Sequence, residues 1–271
     1  MKPGVRLYFS YILLLILVYF VSSCSFGNHM ESVEVIKKPL HSPKDIVPVH
    51  DSVVKPYVYT SVVSLHALPV PEKKEKFFQM LLPAVLVAKT KMEITRKRVK
   101  LLLTKKELSQ GEKLFLDSLE LKYKTAKPAQ LLNRLHVLPV SIVLGQAAIE
   151  SGWGSSRFFL KANNPFGIWS FDKKHQRIAA SSHRNGQKIY LRKFDDLEAA
   201  IDAYYTMLAT RRPFARFSAA KLKTQNPFRL IPYLSAYSER GNEYLNDLAK
   251  VIRVNHLEKY DHYKIDAEYL R

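Results

Sequence analysis

The chain has 271 residues, of which 47% are hydrophobic, and a formal net charge of +19 at pH 7. That is enough for one domain of about 200 residues with a real core, plus shorter segments at its N-terminal side. Its single cysteine, Cys24, excludes an intrachain disulfide, and the sequence has neither a His-Glu-x-x-His zinc motif nor a phosphate-binding glycine loop.

Lys2 and Arg6 flank an almost wholly apolar run from Leu7 to Val21. The run is short for a membrane span and suits a signal-peptide core. Val21-Ser22-Ser23-Cys24 follows, and small residues before a cysteine resemble the bacterial lipoprotein cleavage box. Residues 1–23 are therefore expected to be a lipoprotein signal peptide, with Cys24 lipidated; an uncleaved anchor helix is the alternative. Either way the body lies outside the cytoplasmic membrane, which argues against nucleic acid as a partner. Ser25, by resemblance to other bacterial lipoproteins, favours a periplasm-facing position on the outer membrane. The positive charge then suits peptidoglycan carboxylates or lipid phosphates, or is a solvated basic face. Residues 24–70, punctuated by Pro39, Pro43, Pro48, Pro56 and Pro69, hold no helical period and read as a flexible extended linker. Val53-Val54 and Tyr57-Val58-Tyr59 have the character of an edge strand.

Glu72 to Lys89 has a broad apolar face of helical type, which Pro83 is expected to kink or restart. Lys91 to Lys106 reads as a second, strongly basic amphipathic segment. Ser109, with Glu112 three residues later, caps a helix to Tyr123, and Pro128 opens another through Leu135. Pro139 opens a nearly all-apolar helix that the Gly152/Gly154 pair stops. Glu150 ends it, and no other acidic residue lies between Leu121 and Phe171. Desolvation there favours the protonated carboxyl and suits a general acid; capping a loop or pairing with Arg157 is the competing role. The tight turn Asn163-Asn164-Pro165-Phe166-Gly167-Ile168-Trp169 follows. Its amides and aromatic rings are what a sugar-binding cleft needs. Arg184-Asn185-Gly186 joins two strand-like runs, the strongest local hairpin signal, and predicts a small β-lobe at about 170–194. Asp195, with Glu198 reaching back, is expected to cap a helix ending near Thr210. Further helices are expected near Ala219, from Pro227 to Leu234, and from Gly241 to Asn255.

The string QAAIESGWGSSRFFLKANNPFGIWSF resembles the signature of the glucosaminidase domain of glycoside hydrolase family 73, most closely its Bax-like branch. YSERGNEYLNDLAKVI resembles the family's C-terminal tyrosine-containing helix, and the likeness runs from roughly Glu72 to Tyr260. It implies a mostly α (α+β) fold: a lysozyme-like helical domain with a small β-hairpin lobe. Residues 71–135 would be the N-terminal helical part and 136–271 the glucosaminidase core. The implied activity is hydrolysis of peptidoglycan glycan strands at N-acetylglucosaminyl β-1,4 bonds, with Glu150 as general acid. The resemblance also places Tyr237 near the acid. Asn163, Asn164, Phe166, Trp169 and Tyr233 are expected to bind sugar. Neither cofactor nor metal is expected, and the chain is expected to be a monomer.

A second carboxylate, nucleophile or base, usually completes such a site. Family members often carry a glutamate on the hairpin, where this chain has Ser181, Ser182 and His183. Asp172 and Glu239 are the candidate second carboxylates, although Asp172 also suits a turn former. Otherwise the substrate acetamide itself attacks the anomeric carbon, with Tyr237 orienting it. A lytic transglycosylase, muramidase-type cleavage and a non-catalytic peptidoglycan-binding lipoprotein are the alternatives.

Overall fold

The computed structural model describes residues 31–184 and 187–271. Cys24, the segment 1–23 and the Asn185-Gly186 turn lie outside the described residues. The elements run β1 (Ile36–Pro39), β2 (Val53–Val54), β3 (Tyr57–Ser61), α1 (Val70–Leu102), α2 (Gln110–Tyr123), α3 (Pro128–Arg134), α4 (Val140–Glu150) and α5 (Arg157–Ala162). Then come β4 (Arg177–Arg184), β5 (Gln187–Arg192), α6 (Leu197–Thr210), α7 (Ala215–Ala220), α8 (Pro227–Leu230), a 3-10 segment Ile231–Tyr237, α9 (Asn242–Val254) and β6 (Lys264–Ile265). The fold is mostly helical, with a few two-stranded sheets among the described residues.

α1 is the axis. Every residue from Phe77 to Ala88 is buried, and all but Gln79 are apolar, as befits an element enclosed by others. α4 and α6 pack on it. Pro83 lies inside the helix, which runs unbroken into the basic segment; the two helices expected from the sequence are one, about 50 Å long. Proline forfeits one helical hydrogen bond, and dense packing on both sides holds the axis through it.

The second departure concerns residues 31–70, which belong to the folded body and are not a flexible tether. β1 pairs in parallel with β3, and β2 pairs in parallel with β6 near the C-terminus. Leu40, Ile46, Val54, Val58, Tyr59 and Leu65 are buried in the same core as α1. The prolines sit where strands tolerate them: Pro39 ends β1 and Pro56 precedes β3. Ser32 exchanges two backbone hydrogen bonds with Arg271, at 2.6 and 3.0 Å.

The caps are largely as the sequence suggests. Ser109 and Glu112 form a reciprocal capping box on α2. On α6 the cap is Asp196, which accepts from the Ala199 N–H at 2.9 Å, one residue beyond the expected Asp195. Glu198 instead meets Lys91 of α1 at 2.8 Å. β4 and β5 form the expected antiparallel hairpin, and Trp169 bridges to Leu191 on its edge. α9 lies against α4 at Gly145: a Cβ there would come within 2.8 Å of Leu248 and 3.1 Å of Ile252. That close approach brings the tyrosines before and within α9 to the end of α4.

Candidate active site

α4 delivers Glu150 to a cleft of about 840 Å³ between the helical body and the β-hairpin. The helix ends because Ser151 turns inward, its hydroxyl donating to Ala147 O at 2.6 Å and accepting from the Gly154 N–H at 3.0 Å. Gly152, Trp153 and Gly154 then all adopt positive φ, at 56°, 58° and 79°. Two glycines make most of this turn cheap. Trp153 is the strained member, held by edge contacts of its ring to Phe77 and Phe78 at 5.9 and 5.5 Å.

Burial pushes the Glu150 carboxyl above the usual carboxylate range, opposed by a hydrogen bond with the Tyr244 side chain and by the positive charge of Arg240. Burial prevails because the neutral form loses less on leaving water. Arg157 is not its partner: that guanidinium donates to Ala179 O at 2.9 Å. Behind Glu150 runs a chain of buried polar groups. Tyr204 Oη donates to Gln146 Oε1, and Gln146 Nε2 donates to Tyr244 Oη at 2.7 Å. With its oxygen engaged as acceptor by an amide N–H, the Tyr244 hydroxyl directs its own proton at Glu150.

The cleft gathers Phe166, Trp169, Tyr237 and Glu239 with Glu150 and Arg240. Phe166 is buried and stacks on Tyr204, centroids 4.1 Å apart and planes at 16°. Trp169 is half-buried beside Phe171, a residue 75% exposed, with ring centroids 6.0 Å apart. Tyr237 ends the 3-10 segment, stacked on Tyr244 at 5.6 Å and 12°. Its hydroxyl is buried with no hydrogen-bond partner among the described residues, and burial raises its pKa well above the ordinary value, so it remains a donor. Arg240 is held beside the cleft by Glu243, at 3.0 Å, and by Asp247.

Four of the residues expected at the site stand elsewhere. Asn163 caps α5 with φ 49°, and its amide donates to Thr60 O and Phe194 O at 2.9 and 3.0 Å. Asn164, 1% exposed, accepts from the Ile168 N–H and donates to Ile168 O and Arg192 O at 2.9–3.0 Å. Both amides are committed to backbone: they shape the loop that presents Phe166 and Trp169, and neither lines the cleft. Tyr233 is 38% exposed outside the cleft, with Arg216 5.9 Å from its ring. Asp172 is exposed and accepts from the Lys174 N–H at 2.9 Å, a turn former. Gln146, Tyr204, Tyr244 and Arg240 were given no place in the site from the sequence. Gln146 had a signal, since it precedes Glu150 by one helical turn on the same face.

Residues 126–257 match the family model described as Glucosaminidase, mannosyl-glycoprotein endo-beta-N-acetylglucosaminidase. Protein bax of Escherichia coli (strain K12) is 28% identical over 131 residues, 46% of this chain and 46% of that protein. Exo-glucosaminidase LytG of Bacillus subtilis (strain 168) is 43% identical over 65 residues, 24% of this chain and 21% of that protein. The chain thus matches less than half the length of either relative. Among solved structures, the catalytic domain of the autolysin Auto from Listeria monocytogenes aligns with a TM-score of 0.40 at 17% identity, covering 61% of this chain and 96% of that one. A peptidoglycan hydrolase from Sphingomonas sp. A1 aligns with a TM-score of 0.38 at 20% identity, covering 51% and 86%. The stretch that matches the glucosaminidase family model, residues 126–257, holds Glu150, the aromatic loop and the tyrosine network.

Proposed function

We propose that this protein is a glycoside hydrolase that cleaves peptidoglycan glycan strands at N-acetylglucosaminyl β-1,4 bonds, with Glu150 as general acid. The observation that carries the reading is a partly buried carboxyl of raised pKa, held by an oriented tyrosine, at the edge of a cleft with aromatic walls. Phe166 and Trp169 offer flat apolar faces to sugar rings, and Tyr237 brings a donor that the protein leaves unused.

In the proposed reaction Glu150 gives its proton to the glycosidic oxygen as the C1–O bond breaks. The substrate's acetamide oxygen closes on C1, forming a cyclic oxazolinium intermediate, and Tyr237 orients that acetamide. Water then opens the ring at C1 and returns a proton to the Glu150 carboxylate. Glu239, which also lines the cleft, is the alternative second group.

Mass spectrometry of peptidoglycan digested by the purified protein tests the reading. Reducing-end N-acetylglucosamine is expected. A 1,6-anhydro-muramic end would make it a transglycosylase instead, and an intact polymer would leave only binding.

We further propose that Cys24 is lipidated and tethers the protein to the envelope, as a periplasm-facing lipoprotein. Cys24→Ala is expected to release it from membrane fractions or leave a heavier, unprocessed chain. Unchanged mass and fractionation of that variant would reject lipidation.

A further inference from the structure

We propose that the corner between α1 and α2 is the face this protein lays against an anionic phospholipid bilayer. The inference rests on an N-terminal anchor ending near Cys24, as proposed above, and adds which side of the molecule that anchor brings to the lipid.

The described chain enters the fold at this corner. Glu31 meets Lys97 of α1 at 3.3 Å and lines a groove of about 660 Å³ together with Val33, Arg98, Leu101, Lys105 and Phe115. Because residues 31–70 pack into the body, they supply no tether length. What remains between Cys24 and Glu31 can reach at most ~25 Å. A membrane-bound Cys24 therefore keeps the groove close to the lipid surface.

The chemistry of the corner fits such a surface. Leu101 and Leu103, at the end of α1, are 58% and 41% exposed. Leu114 and Leu121 of α2, two turns apart on one outward face, are 61% and 82% exposed. Lys97, Lys100, Lys105, Lys106 and Lys113 are exposed on the same stretch of chain, Lys97 and Lys105 engaging Glu31 and Glu112 at 3.3 and 2.6 Å. Leucines flanked by lysines match the acyl boundary and the phosphate layer of a membrane. The groove shares no lining residue with the cleft at Glu150, so the corner can rest on lipid without engaging the cleft's lining residues.

The test places a tryptophan reporter in the full chain, incorporated into vesicles containing brominated phosphatidylcholine with or without phosphatidylglycerol. Leu101→Trp is compared with Val254→Trp, a position 60% exposed at the end of α9; emission of the unsubstituted chain, from Trp153 and Trp169, is subtracted. With phosphatidylglycerol present, the Leu101 reporter is expected to be quenched at least twofold more than the Val254 reporter. Adding K100Q, K105Q and K106Q should return it to the Val254 level. Equal quenching at the two positions in a chain that sediments with the vesicles would overturn the face while the anchor stands. A chain that fails to sediment with the vesicles, or a Leu101 reporter that responds to purified sacculi and not to lipid, overturns it too. No readout depends on glycan cleavage, so failure of the hydrolase reading is separately visible.

Discussion

The carboxamide nitrogen of Gln146 lies 2.7 Å from the hydroxyl oxygen of Tyr244, and the Tyr244 side chain in turn bonds Glu150. An amide N–H donating into the phenol oxygen leaves the phenol proton for the carboxylate. Tyr244 thereby stabilises ionised Glu150 and restrains the rise in pKa that burial imposes. A general acid must be protonated, so under the role proposed for Glu150 the alkaline limb of kcat/KM should follow its pKa in the free enzyme. Tyr244→Phe should move that limb to higher pH, and Gln146→Leu should move it the same way by a smaller amount. Gln146→Leu also leaves the buried Tyr204 hydroxyl without its acceptor, a loss of about 1–3 kcal/mol of stability. pH profiles that stay in place, or shift downward, would show that this chain of groups does not set the acid's state.

Glu150→Gln keeps the shape and removes the transferable proton. Turnover of purified sacculi should fall roughly 100-fold or more. Stability should move the other way. The folded pKa of Glu150 lies above its unfolded value, so the folded state binds the extra proton. Its favourable contribution is complete below the unfolded pKa and is lost as pH rises through the folded pKa. As pH rises through the folded pKa the native chain takes on a buried charge that the glutamine never carries. Glu150→Gln should melt higher than the parent at pH 7, with the gap closing toward pH 4. A correctly folded variant with near-normal turnover removes Glu150 from the mechanism.

Asn164 and Trp169, five residues apart, should respond in opposite ways. Asn164→Ala removes three hydrogen bonds to buried backbone groups and is expected to destabilise by about 3 kcal/mol or more. Trp169→Ala should scarcely change the melting temperature but weaken binding of chitooligosaccharides. Both are read from thermal melts and a titration followed by amide resonances. A stable Asn164→Ala protein with weakened sugar binding would restore the asparagine to the cleft and reverse this assignment.

The sequence made α4 and the carboxylate at its end legible because local chemistry dictates both: proline at the start, glycines after the end, and one acidic residue on an apolar rod. The capping box on α2 was visible for the same reason. What failed was non-local or degenerate. Residues 31–70 gain their order from parallel pairing, in part with β6 more than 200 residues away, and no local period reports such pairing. Asp195 and Asp196 are equivalent on paper; only the entry angle of α6 selects the second. Asn163 and Asn164 have the donors a sugar site needs, but a left-handed C-cap and a tight turn need the same donors. Pro83 was read by its missing N–H, while the burial around it decided the outcome.

The last prediction concerns the second chemical group. From Lys173 to Phe194 the sequence has no Asp or Glu, so the hairpin supplies no carboxylate. Asp172 is exposed in a turn outside the cleft, whereas Tyr237 lines it with a buried hydroxyl that has no partner among the described residues. A hydroxyl in that state needs only a shift of the surrounding side chains, and no broken protein hydrogen bond, to meet the acetamide of a bound sugar. If the acetamide is the nucleophile, Asp172→Asn should keep nearly all activity and Glu239→Gln most of it. Tyr237→Phe should lose much more, at little change in stability, because the removed hydroxyl has no protein hydrogen bond to lose. Closing and opening the intermediate inverts C1 twice, so proton NMR of the first-formed product should show retained configuration. Glu239 is the sharper rival, since it shares the cleft with Glu150. A Glu239→Gln variant as inactive as Glu150→Gln would make Glu239 the nucleophile if configuration is retained and the base for water if it is inverted, and either result would displace the acetamide route while leaving Glu150 as the acid.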